Sequence, residues 1–170
     1  MTAIRLTLGW VAAAVGATRQ RDVADRVVDD VVTDSRTLQA GDLFVALRGP
    51  RFDGHAFVAD VLARDAAGAI VERGQVREDA RKIEVPDTLE ALQRLAHAVR
   101  TAVATKVVAI TGSAGKTTTK EAIAALLATR YVVVKNKGNL NNHIGLPLSL
   151  MQLRTAPDVA VMELGMNHAG

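Results

Sequence analysis

Residues 111–118 read Thr-Gly-Ser-Ala-Gly-Lys-Thr-Thr, between an apolar strand pattern and a helical one. Glycines at such a junction let backbone N–H groups close around phosphate oxygens, and a helix N-terminus adds partial positive charge. Lys116 is placed to reach terminal phosphates, and the Thr117 hydroxyl to ligate Mg²⁺. Ile110 stands where the general phosphate-loop motif has its first glycine, so the spacing is the shorter G-x-x-G-K-T-T. The same residues without a ligand would be a Gly-rich turn. The flanking strand and helix favour a nucleotide.

A nucleoside triphosphate site also needs a carboxylate for its metal. The run Val-Ala-Val-Met-Glu at 159–163 supplies Glu163 at the end of an apolar strand. That strand should lie beside the loop strand, which brings Glu163 to the carboxyl edge where open α/β sheets bind ligands. The bland alternative for Glu163 is a solvated strand end.

Two further clusters could contact ligands. Asn139, Asn141, Asn142 and His143 follow a strand pattern, and asparagine offers both donors and acceptors. Asparagine also suits turns, because it tolerates left-handed backbone angles. Ser35 and Arg36 lie in a Thr-Asp-Ser-Arg turn at 33–36. An arginine fork matches a diphosphate, and it matches an ordinary surface ion pair equally well. Asn167 and His168 follow Glu163 closely as candidate site-lining residues. Phe52, Asp53 and His55 are weaker candidates, with Asp53 suited to capping a helix.

The elements that must hold these groups follow from periodicity. Helices are expected from a Thr7 cap to about 16, from an Asp53 cap to Gly68, over 88 to about 104 and over 116–129. The last should turn Ile123, Leu126 and Leu127 inward. Strands are expected at 27–32, 43–47, 69–72, 82–85, 107–110, 131–134 and 159–164. The continuous apolar run at 107–110 implies a strand covered on both faces. Strand, helix and strand in alternation imply parallel sheets with right-handed crossovers. The fold class is α/β: a small amino-terminal α/β domain (1–105), then the first part of a phosphate-loop, parallel-sheet nucleotide domain (106–170).

Composition agrees with this division and narrows the chemistry. Residues 1–105 carry 14 Lys/Arg against 15 Asp/Glu, and residues 106–170 carry 7 against 3, so the phosphate-seeking charge sits in the second part. With aromatics at only 3%, no dense basic stripe of the nucleic-acid-binding kind is present. There is no cysteine, hence no disulfide framework and no thiolate chemistry. No apolar run approaches the roughly 18 residues of a membrane span. The apolar start reads as a short helix rather than a signal peptide. The expectations are a cytoplasmic protein without a nucleic-acid or membrane partner.

Segments 111–118, 138–147 (Gly-Asn-Leu-Asn-Asn-His-Ile-Gly-Leu-Pro) and 162–170 (Met-Glu-Leu-Gly-Met-Asn-His-Ala-Gly) closely resemble the Mur ligases. So do 33–36, 41–47 and Phe-Asp-Gly-His at 52–55, which resemble the family's amino-terminal domain. The resemblance covers essentially the whole chain, and the short loop spacing is the family's own. The Gly-Ser-Ala-Gly loop and the Asn-Leu-Asn-Asn segment resemble the branch that adds D-alanyl-D-alanine more than the branch that adds a diamino acid.

The resemblance implies an ATP-dependent ligase of peptidoglycan precursor synthesis. ATP would phosphorylate the carboxylate of UDP-N-acetylmuramoyl-tripeptide, and the amine of D-alanyl-D-alanine would attack the acyl phosphate. By the same resemblance, Gly112, Ser113, Ala114, Gly115, Lys116, Thr117 and Thr118 bind ATP. Lys116 and Glu163 serve catalysis, Thr117 and Glu163 hold Mg²⁺, and Ser35, Arg36 and the 139–143 cluster touch substrate. Family members have three domains and act as monomers when complete, so this stretch by itself is expected to be inactive. The alternatives are a diamino-acid-adding Mur ligase, a folylpolyglutamate synthase relative, or a nucleotide-binding module without catalysis.

Overall fold

A computed structural model describes residues 3–17, 21–50, 52–77, 79–138 and 140–165. Contacts divide the chain into two compact units, residues 5–95 and residues 96 onward joined by Ala3 and Ile4. The change of unit falls inside a helix, at Leu95–Ala96, whereas the composition shift lies near residue 105.

In the first unit, helix α1 (Leu8–Val15) opens as its sequence demands. The Thr7 hydroxyl accepts the Trp10 N–H at 3.2 Å, and Gly16 ends the helix with φ +72°. Four parallel strands follow in sheet order β1 (Val31–Val32), β2 (Leu43–Val45), β3 (Gly68–Glu72) and β4 (Lys82–Val85). Phe44 pairs with Ala69, and Ile70 with Ile83. Leu38, Phe44, Val58, Val61, Ala69 and Val71 form one buried cluster.

Two expectations are corrected here. Strand β1 is confined to Val31–Val32. The helix expected from 53 to 68 is a 3₁₀ turn (Gly54–Phe57) followed by α2 (Val58–Ala63). Asp65, at φ +61°, stops it before Gly68, which instead opens β3. Aspartate tolerates that left-handed geometry better than most residues. Helix α3 (Thr88–Ala102) starts where Asp87 accepts the Glu90 N–H at 2.8 Å, and it buries Leu92, Leu95, Ala96 and Val99.

The second unit is a three-stranded parallel sheet in the order β5 (Lys106–Ile110), β7 (Val159–Glu163), β6 (Val133–Lys135). Helix α4 (Lys116–Ala128) links β5 to β6. A short α5 (Gly145–Leu150) and a 3₁₀ turn lead to β7; neither was foreseen from periodicity. All five residues of β7 are buried, and Ile110, Ala124, Val159 and Val161 form the local core.

Three expectations fail in this unit, each for a geometric reason. Among the described residues, strand β5 is not covered on both faces: Lys106 and Ala109, which point to opposite faces, are exposed. Leu126 is 73% exposed, because the buried stripe of α4 runs through Lys120 and Ala124, with Ile123 and Leu127 half-buried beside it. Tyr131 and Val132 lie outside β6 and are exposed. The Tyr131 N–H still closes the helix end on the Leu127 carbonyl at 2.9 Å.

Candidate functional site

The loop after β5 turns through Gly112 at φ +141° and Gly115 at φ +74°, backbone conformations that a side chain would strain. Gly115 caps α4, so the unpaired N–H groups of the first turn face the loop. Lys116 folds back over it, its ammonium donating to the Gly112 carbonyl at 2.6 Å. Ser113, Ala114 and Thr118 are exposed around it.

The register pairs Ile110 with Glu163, which sets the end of β7 beside the start of the loop. The Thr117 hydroxyl donates to Glu163 Oε2 at 2.9 Å. The Asn141 amide donates to Glu163 Oε1 at 2.8 Å. Glu163 is only 4% exposed. Burial is the largest influence on its carboxyl and pushes its pKa up. The Thr117 and Asn141 hydrogen bonds, with the positive charges of Lys120 and Lys116, outweigh burial and hold the pKa below the ordinary glutamate value.

Sequence reasoning missed two residues behind this carboxylate. The Lys120 ammonium is buried, donates to the Asn136 carbonyl at 3.0 Å and lies 3.9 Å from Glu163 Oε2. Asn136 is fully buried; its side chain accepts the Glu163 N–H at 2.9 Å and donates to the Glu163 carbonyl at 3.0 Å. The available signals were Lys120 standing one helical turn after Lys116, and Asn136 between two lysines at a strand exit.

The asparagine cluster divides. Asn141 joins the carboxylate, while Asn142 accepts the Ile144 and Gly145 N–H groups at 3.1 and 2.7 Å and so starts α5. The His143 side chain is exposed in the same turn. Asn139, Asn167 and His168 lie outside the described residues.

Among the described residues, no three His, Asp or Glu side chains gather as a metal cage. Thr117 and Glu163 do offer adjacent hard oxygens, one of them anionic. That set fits Mg²⁺, which commonly takes one or two protein oxygens and completes its shell with water and phosphate.

The first unit contains a separate cavity of about 490 Å³, lined by Thr33, Asp34, Ser35, Arg36, Phe44, Phe52, Gly54 and Phe57. Arg36 forks onto Asp34, with Nε–Oδ1 at 2.9 Å and Nη2–Oδ2 at 2.6 Å. The Arg36 side chain holds the Asp34 carboxyl down to about 2. The surface ion pair that competed with the ligand reading is therefore present in the same turn as the cavity wall. Arg64 braces that turn, donating to the Ser35 and Leu38 carbonyls at 2.7 and 2.8 Å.

Family models match both units: Mur ligase family, catalytic domain, over residues 27–100, and Mur ligase middle domain over residues 110–170. The chain belongs to the Mur ligase family. This Mur ligase chain is 46% identical over 86% of its length to the UDP-N-acetylmuramoyl-tripeptide–D-alanyl-D-alanine ligase of Escherichia coli, covering 32% of that protein. The crystal structure of MurF from Acinetobacter baumannii superposes with a TM-score of 0.90 at 40% identity, over all of this chain and 38% of that one. MurF of Thermotoga maritima in complex with ADP gives 0.76 at 38% identity, over 83% of this chain and 33% of that one. The chain thus spans about a third of the length of the relatives it matches. Among its described residues no helix is long and apolar enough to cross a membrane.

Proposed function

We propose that this chain supplies the UDP-sugar unit and the phosphate loop of a cytoplasmic, ATP-dependent ligase that joins D-alanyl-D-alanine to UDP-N-acetylmuramoyl-tripeptide. The observation that carries the reading is the Thr117–Glu163 contact, which brings a hydroxyl and an ionised carboxylate together at the mouth of a strand–glycine–helix loop. The names of the relatives support the substrates, and the ADP complex of one structural neighbour supports the nucleotide.

In this reading the loop N–H groups of 112–118 hold the ATP phosphates. Lys116 exchanges the Gly112 carbonyl for phosphate oxygens and meets charge that develops on the transferring phosphoryl group. Thr117 and Glu163 would hold Mg²⁺, which neutralises phosphate charge when bound. Asn141 aims Glu163 by occupying its other oxygen. Ser35 and Arg36, at the cavity of the first unit, take the diphosphate of the UDP-sugar, and a share of substrate contact falls to the 139–143 segment. Acyl phosphate formation and its capture by the amine are then matters of placement. Catalysis belongs to the assembled ligase, a monomer in this reading.

Amide resonances of the chain titrated with ATP analogue and with UDP test the assignment. ATP should move 112–118 and UDP should move 33–36. ATP acting on 33–36, or leaving the loop unmoved, overturns it.

A further inference from the structure

His55 is a buried titratable group that the proposed reaction leaves unused; its side chain is 5% exposed. Both ring nitrogens are engaged. Nε2 lies 2.9 Å from the backbone nitrogen of Glu72, and Nδ1 lies 2.5 Å from Asp53 Oδ1. A backbone N–H can only donate, so Nε2 carries the lone pair and Nδ1 the proton. The hydrogen-bond network thereby fixes the tautomer.

Asp53 is tied from several sides. Its Oδ1 also accepts the His55 N–H at 3.0 Å, and its Oδ2 accepts Arg48 Nε at 3.1 Å. Arg48 reaches on to Glu72 Oε2 at 3.2 Å. The cluster therefore fastens the segment holding Asp53 to the end of β3.

The residue before Asp53 is Phe52, a cavity-lining side chain that remains 57% exposed. Its carbonyl accepts the Gly49 N–H at 2.9 Å. Its ring lies so close over Gly49 that a Cβ there would come within 2.6 Å of it. An exposed phenylalanine on a cavity rim has little core packing to hold it. Its backbone is held by the Gly49 hydrogen bond, by the Gly54 N–H on the Leu47 carbonyl at 2.9 Å, and by the side-chain connection Asp53–His55–Glu72, which ties it to β3.

We propose that His55 is a positioning residue for the cavity: as the Nδ1–H tautomer it ties Asp53 to the end of β3 and so holds Phe52 as a wall of a nucleoside diphosphate site. The ligand class rests on the reading of this cavity given above; the positioning does not.

The test uses the full chain with UDP as probe. His55→Leu breaks both contacts. UDP binding should weaken about tenfold, the size of one lost hydrogen-bonded contact. The nuclear Overhauser contact between the Phe52 ring and Gly49 should fade in the ligand-free protein. His55→Gln, whose amide carries both an acceptor and a donor, should restore most of both. A purely structural histidine would lose thermal stability in both variants without moving the Phe52–Gly49 contact, and that result overturns the proposal. If His55→Leu does not fold, the ring nitrogen shifts of the wild type decide: a proton on Nε2 overturns it, and a bare Nε2 with protonated Nδ1 supports it. A wild type that fails to bind UDP refutes the ligand, while the Phe52–Gly49 contact in the variants still decides the positioning.

Discussion

The Thr117 hydroxyl and the Glu163 carboxylate lie 2.9 Å apart although 46 residues separate them in the chain. The first residue sits at the start of α4 and the second at the end of β7, and the parallel pairing of Ile110 with Glu163 brings them together. Asn141 holds the other carboxylate oxygen, so Glu163 points one way before any ligand arrives.

Glu163→Gln keeps this shape and removes the charge. It should raise the Mg²⁺ concentration needed for half-maximal ATP binding by about tenfold or more, with UDP binding unchanged. Calorimetric titrations of ATP at graded Mg²⁺ check this. An unchanged Mg²⁺ requirement places Glu163 outside the metal shell.

Lys116→Ala should abolish most ATP binding and, in the assembled ligase, most turnover. The fold should survive, because alanine at a helix start costs little. Thermal melting and ATP titration separate the two effects. Near-normal ATP affinity refutes the loop assignment.

Asn136→Ala strands the buried Glu163 N–H and carbonyl, which the Asn136 side chain meets, while Lys120 keeps the backbone carbonyl of residue 136. An unsatisfied buried group costs about 1–3 kcal/mol, so the second unit should melt earlier while α1 to β4 keep their stability. Hydrogen exchange resolved by residue checks this. Equal loss in both units contradicts it.

The Asp53 carboxyl titrates at about 2 instead of 3.8, chiefly because the His55 N–H and side chain bond to its ionised form, with Arg48 adding to them. The folded value is the lower one, so the unfolded chain takes up the proton first. The contribution is present above about pH 4 and is lost as pH falls through about 2. Asp53→Asn should flatten the acid limb of the stability profile of the first unit in that window. The effect is small, since Asp53 is 41% exposed. Urea melts between pH 5 and 2 measure it, and identical slopes refute it.

Local information settled much of this protein. A Gly-x-x-Gly-Lys-Thr-Thr loop between an apolar run and a helical run needs no tertiary context, because glycine's backbone freedom and the exposed N–H groups of a helix start are local properties. Capping by Thr7 and Asp53 was legible for the same reason. Other features depended on neighbours far along the chain. Periodicity counts lysine as polar, so it turned Leu126 inward; the structure buries Lys120 because the Asn136 carbonyl and the Glu163 carboxylate, 16 and 43 residues away, meet its ammonium. An apolar run cannot announce what covers its faces, and among the described residues Lys106 and Ala109 of β5 are exposed. Asn141 and Asn142 are the same residue type, side by side, yet one steadies a carboxylate from another strand and the other starts a helix. Residue type fixes which bonds an asparagine can make, but the partner it meets is fixed by where the chain returns in space.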